Sequence, residues 1–198
     1  MYLSRIANGG LSRYADVSFI IRFFVLMVGL YQLNMFCIHL VDPQHDLYNA
    51  FFDNHLNYLS LLRASILHAS NVLAHCFGLN SYVGESHNLK IYGGHGVYVD
   101  LPCLGYGLMI FWFSFTVAQK GRWKSKLLWC TTGVAFLFLL NCCRVMLLLI
   151  AVNKSWEINK WMDHHLLYNI VVYVLIIGMV YLYYISAKRE AKWSIGFR

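Results

Sequence analysis

Charge is scarce in this chain. Of its 198 residues only 13% are Asp, Glu, Lys or Arg, where a soluble domain carries about 25%. Proline is nearly missing, with two residues, and the 14 glycines are dispersed, which excludes collagen-like and low-complexity architectures. The six cysteines form no CxxC pair and no zinc-finger spacing, so no metal framework is expected. No internal repeat stands out. Apolar side chains take up what is missing: 59% of the chain is hydrophobic and 17% aromatic, with mean hydropathy +0.52. A core this small cannot bury so much apolar surface. These figures exclude an ordinary soluble domain and a disordered chain and point to an integral membrane protein.

The net charge of +7 could suit nucleic acid, but the basic residues sit in short runs beside long apolar stretches. That is the pattern of topology signals, and no nucleic-acid partner is expected.

A crossing of the hydrocarbon core needs about 20 mostly apolar residues. Residues 17–41, 127–152 and 166–186 meet this, and 103–119 is shorter but almost free of charge. Residues 56–79 carry Asn57, Ser60, Arg63, Ser65, His68, Ser70, Asn71 and His75 among leucines. So many polar groups are costly at mid-bilayer, so this stretch reads as an amphipathic or interfacial helix. Strand-formers around Gly-rich turns predict a short β-hairpin or meander over 82–101, whose last strand, 96–101, leads through Pro102 to Cys103.

The expected fold is therefore an all-α integral membrane bundle, a single membrane domain over 1–198. It has about four transmembrane helices, one amphipathic helix and a short extracytoplasmic hairpin within segment 42–102. Segment 17–41 is too long for a signal-peptide h-region and lacks a small-residue cleavage site, so it is expected to stay as an anchor. Arg5 and Arg13, then Lys120, Arg122, Lys124 and Lys126, then Lys188, Arg189, Lys192 and Arg198 mark three cytoplasmic segments. Four crossings of the cytoplasmic membrane then leave both termini inside and segment 42–102 outside.

Which polar groups carry chemistry follows from position. Cys37, Cys130, Cys142 and Cys143 lie within apolar spans, where cysteine is usually an inert small hydrophobe; Cys76 could pack or pair. Cys103 sits at the outer mouth of a span, where a thiol is accessible enough to react. The nine histidines (His39, His45, His55, His68, His75, His87, His95, His164 and His165) fall at outer span ends or in outer loops. They read either as interfacial side chains or as an outer metal or haem site. Paired ligand spacing is missing, and no cofactor is expected. Arg144 lies in an otherwise uncharged stretch, with Asn141 three residues earlier. An arginine within a span costs about 2.5–3.5 kcal/mol on insertion scales and usually faces a polar partner or cavity.

Cys103, Arg144 and His165 thus converge on the outer side from three spans. A thiolate nucleophile, a guanidinium able to stabilise it or an oxyanion, and an imidazole to move the proton suit acyl transfer through a thioester.

At these residues the chain resembles the exosortase/archaeosortase family of membrane sorting enzymes. The resemblance covers roughly residues 71–187. It rests on Cys103 with Gly105 two residues on, Asn141-x-x-Arg144, and a histidine opening the next span. Leu104 stands where the family often has serine. Asn169 stands where a glycine commonly follows the histidine by four. Register favours His165 over His164. The resemblance implies a cysteine transpeptidase or protease in which Cys103 is the nucleophile, Arg144 stabilises charge and His165 is the acid–base. Gly105, Asn141, His164 and Asn169 would support them. The substrates would be exported proteins ending in a short motif, a transmembrane helix and a basic tail, meeting the site through the membrane lipid. The freed chain would pass to water or to an amine on a surface carrier. The reading from a different class is a non-catalytic membrane subunit of a polysaccharide or secretion assembly, in which Arg144 only organises the bundle.

Overall fold

In hydrocarbon every backbone N–H and C=O must be satisfied within its own segment, so long apolar stretches fold as helices. The computed structural model describes the backbone of residues 17–85, 87–154 and 164–196; the side chains of 164–167 and 190–196 lie outside the described residues. Helix α1 is Val17–Val41, with the bounds expected from sequence. Helices α2 (Ala50–Leu56), α3 (Tyr58–Cys76), α4 (Tyr106–Ala118), α5 (Trp123–Asn153) and α6 (His164–Gly196) follow. The helices α1 and α5, and Tyr168–Arg189 within α6, are long and apolar enough to cross a membrane. They contain the expected spans 17–41 and 127–152 and most of 166–186.

The stretch 103–119 differs from a single helix. Residues Leu101–Leu104 form a 3-10 turn, Gly105 follows in the left-handed region at φ 70°, and α4 has only 13 residues. At about 1.5 Å per residue, α4 alone is shorter than a hydrocarbon core of about 30 Å. The amphipathic stretch 56–79 narrows to α3. Its start is set by Asn57, whose side chain accepts from Ser60 N at 2.9 Å, an N-cap. Beyond its end Gly78 takes φ 76°, the left-handed conformation that closes many helices. Leu59, Ile66, Leu67, Ser70 and Ala74 form its buried stripe.

The expected hairpin is a three-stranded antiparallel meander: β1 (Ser81–Gly84), β2 (Asn88–Ile91) and β3 (Gly96–Tyr98). Ser81 pairs with Ile91, and Asn88 pairs with Tyr98. One expectation is corrected here. The last strand ends at Tyr98 instead of reaching 101, because Asp100 caps the 3-10 turn with its carboxylate on Leu101 N at 2.7 Å and Pro102 has no N–H to give a ladder.

The chain divides into two compact units. The first joins Met1–Leu56 to Tyr106–Val134 and is described from Val17. Here α1 meets α4 through edge-to-face rings, Phe23 on Phe111 at 5.6 Å and Phe19 on Phe115 at 6.0 Å. The fully buried Trp112 donates from its indole Nε1 to Trp129 O at 2.9 Å. Its ring lies where a Cβ at Gly133 would stand, the close approach that small residues permit between membrane helices. Gly133→Ala therefore sets a helix-propensity gain of about 1 kcal/mol against overpacking of about 1–3 kcal/mol. Net destabilisation is expected, read as a lowered thermal midpoint in detergent; an unchanged or raised midpoint would contradict this packing.

The second unit joins Asn57–Gly105 to Ala135–Arg198. Its core includes Ile66, Leu89, Val99, Leu104, Val145, Leu149 and Val172, all nearly inaccessible. Polar links between elements are few and specific. Ser70 Oγ donates to Cys142 O at 3.2 Å, tying α3 to α5, and Ser81 Oγ donates to Asn71 Oδ1 at 2.7 Å, tying β1 to α3. At the end of α5, Asn153 clasps the β2–β3 turn: its Oδ1 accepts from His95 N at 2.7 Å and its Nδ2 donates to His95 O at 3.0 Å.

Candidate active site

Cys103 is held by its backbone before its sulfur is considered. Asp100 takes an extended conformation and caps the turn, Pro102 occupies its first residues, and Cys103 N donates to Asp100 O at 2.9 Å. The next side chain, Leu104, is fully buried and anchors the turn in the core of the second unit. Gly105 then reverses the chain at φ 70°, a conformation that costs an L-residue roughly 1–2 kcal/mol. Cys103 itself is half-buried with a free thiol.

Asn141 completes the hold from α5. It is 3% exposed, and its Nδ2 donates to Cys103 O at 2.6 Å. The same amide faces Gly105, where a Cβ would meet Asn141 Cγ at 3.5 Å. Both backbone polar groups of Cys103 are thus satisfied, one within the turn and one by α5. The residue read from sequence as Arg144's polar neighbour is here the residue that positions the cysteine. Asn141→Asp is expected to destabilise the fold by about 1–3 kcal/mol, because a carboxylate can only accept and would face an unpaired carbonyl. Thermal unfolding checks this, and a midpoint equal to wild type would remove Asn141 from the account.

Arg144 follows Asn141 by three residues, a separation that keeps both on one side of a helix. It is half-buried, and its guanidinium carbon lies 4.7 Å from the ring centroid of Tyr168 on α6. A planar cation over an aromatic face gains electrostatic and stacking energy. This stacking holds the guanidinium against α6.

The structure thus brings Cys103, Gly105 and Asn141 into contact and places Arg144 on the same helix side as Asn141, within the same unit. His164 and His165 open α6, and their side chains lie outside the described residues. Asn169 is exposed. Tyr168 was not singled out from sequence, where it is one tyrosine among 14. Nothing in the sequence pointed to Ser70 or Asn153 as inter-element links, because an isolated Ser or Asn carries no partner information.

Among the described residues, no three His, Cys, Asp or Glu side chains gather as ligands for a metal ion. The histidines that do meet are His39 and His45, with ring centroids 4.1 Å apart in the first unit. His45 also stands 3.7 Å from the Asp42 carboxylate. Compared with known proteins, the chain matches no family model, no curated protein and no solved structure.

Proposed function

We propose that this chain is a membrane cysteine endopeptidase or transpeptidase of the exosortase kind, which removes the C-terminal sorting signal of exported proteins. The observation that carries the reading is the two-sided hold on Cys103, by its own capped turn and by Asn141, which precedes Arg144 by three residues on α5. Any residue in a packed turn has its backbone groups satisfied; what this hold adds is a fixed position for the sulfur. A nucleophile depends on that, because misplacement by about 1 Å can cost on the order of 100-fold in rate.

In this reading Cys103 is the nucleophile, Arg144 the charge stabiliser and His165 the acid–base. The histidine takes the thiol proton, and the sulfur adds to the carbonyl carbon of the scissile peptide. The oxyanion that forms lies against the Arg144 guanidinium. Collapse breaks the C–N bond, the leaving amine takes the proton from His165, and a thioester remains on Cys103. Water or an acceptor amine on a surface carrier then attacks the thioester, giving acid or amide and restoring the thiol. No cofactor enters these steps.

The setting proposed is the cytoplasmic membrane. In this reading the 3-10 turn and the short α4 together supply the second crossing in chain order, both termini are cytoplasmic, and the site opens at the outer edge. There a substrate anchored by its own helix arrives at matching depth by diffusing in the bilayer.

The test is capture of the intermediate. Purified protein is mixed with a substrate carrying the motif, helix and basic tail, quenched in acid and weighed intact. An adduct of the acyl fragment on Cys103, released by hydroxylamine, is expected. Turnover with no adduct on Cys103 under any quench, or an adduct on another residue, would overturn the assignment. A protein that binds such substrates without cleaving them belongs to the non-catalytic reading.

A further inference from the structure

Away from Cys103, the second unit has an open cleft of about 530 Å³ between α3 and the β1–β2 turn. Its walls combine two kinds of surface. Leu61, Ala64 and Leu67 from α3 and Val83 from β1 are apolar, whereas His68 and His87 bring imidazoles to the same space. Those α3 residues recur at spacings of three and four, so one stripe of the helix lines the cleft.

Arg63 adds a permanent cation beside this stripe. Its Nε is buried with no hydrogen-bond partner, and no carboxylate pairs with it among the described residues. That Nε has almost no accessible surface, so the terminal guanidinium nitrogens are the atoms a ligand would meet. Arg63 follows Ser60 by three residues and precedes Leu67 by four, at the edge of the lining stripe of α3 and not itself a lining residue; partial burial first, and then the Arg63 charge, push the His87 imidazole below its ordinary range. His87 is itself unusual. It is the non-glycine residue with positive φ among the described residues, at 63°. Its carbonyl is tied down by Val99 N at 3.1 Å. A residue held in a sparsely populated conformation at the mouth of a cleft is a common feature of ligand sites.

We infer that this cleft binds a phosphate ester with an attached apolar group, its phosphate oxygens taken by Arg63, His68 and His87. Ser60 also borders the cleft, but its hydroxyl donates to Asn57 O at 2.8 Å, so the arginine and the two imidazoles are the donors. Three donors from separate positions suit the several oxygens of a phosphate better than the two of a carboxylate. The volume exceeds what a bare phosphate fills and falls in the range of organic ligands. Leu61, 69% exposed, extends the apolar wall outward to where an ester group or lipid chain would run. The phosphate could belong to a membrane lipid headgroup or to a free organic phosphate, and the chemistry recognised is the same. This inference does not rest on the thioester reading, and its readout is binding.

The experiment is native mass spectrometry of the purified full chain in detergent with three probes: phosphatidylglycerol, sn-glycerol 1-phosphate and dioleoylglycerol. Saturable binding of a phosphate probe is expected, with dioleoylglycerol bound at least tenfold more weakly. Arg63→Gln should weaken phosphate binding by about 10- to 100-fold, as expected for loss of a charge-assisted bond. Phosphatidylglycerol alone binding identifies a lipid headgroup as the source, whereas equal binding of sn-glycerol 1-phosphate identifies a free ester. Ala64→Phe fills the cleft from an exposed helix position and decides the matter where Arg63→Gln fails to fold. Three outcomes would overturn the site: no phosphate probe binds, dioleoylglycerol binds equally well, or a folded variant binds like wild type.

Discussion

Cys103→Ala is expected to reduce processing of a sorting-signal substrate by about 10³-fold or more. Removing a nucleophile leaves only the acceleration due to binding and oxyanion stabilisation. The folded state should tolerate the change. The interactions that hold residue 103 use its backbone N–H and carbonyl, bonded to Asp100 O and Asn141 Nδ2, and alanine keeps both. The buried anchor is the next residue, Leu104, also untouched. Expression, monodispersity and thermal midpoint should therefore match wild type within the small effect of losing one half-buried sulfur. Cys103→Ser should be nearly as inactive, because a hydroxyl gives up its proton far less readily than a thiol. Processing at wild-type rate by either variant would exclude Cys103 as the nucleophile and favour the non-catalytic reading.

Much of the helical frame is legible in the sequence, because hydrocarbon leaves a long apolar segment few alternatives. Residues 17–41 fold as read, to the residue, and 127–152 and 166–186 lie inside α5 and α6. Legibility fails where side chains act on the backbone locally. A hydropathy window passes over Asp100, Pro102 and Gly105 as interruptions in one apolar run. Their separate effects, a cap, a missing donor and a left-handed residue, turn 101–104 into a 3-10 turn closed by Gly105 and shorten α4. The same local chemistry ends β3 before the cysteine.

The candidate site was legible in part, for a related reason. Cys103 and Arg144 stand out because a thiol at a span mouth and a charge inside a span each have few ordinary explanations. Asn141 was noted only as a neighbour of Arg144, and helical spacing said nothing of its bond across to Cys103 O. Tyr168 is one of 14 tyrosines and became distinct only through its ring lying on the Arg144 guanidinium. Partners contributed by different helices depend on rotations and offsets that no single-segment pattern encodes.

Arg144→Ala is expected to reduce turnover by about 10²–10³-fold, the usual effect of deleting one donor aimed at a developing oxyanion. The effect should fall on kcat with KM little changed, because in the proposed mechanism the charge that Arg144 would meet exists in the transition state and not in the bound peptide. A merely structural arginine would behave differently: its loss would loosen the bundle, lower the thermal midpoint and disturb binding together with turnover. Arg144→Lys separates the cases further. Lysine keeps the charge but lacks the planar face that lies 4.7 Å from the Tyr168 centroid, so the cation is no longer held by stacking. Partial activity is expected, between wild type and alanine. At Tyr168 the ring should matter more than the hydroxyl for orienting Arg144. Tyr168→Phe should keep most of the activity, whereas Tyr168→Leu, which removes a cation–π contact of about 0.5–2 kcal/mol, should lower kcat by a factor of several. Should Arg144→Ala retain wild-type kcat in folded protein, the guanidinium has no part in the chemistry and Cys103 must draw its oxyanion donor from elsewhere.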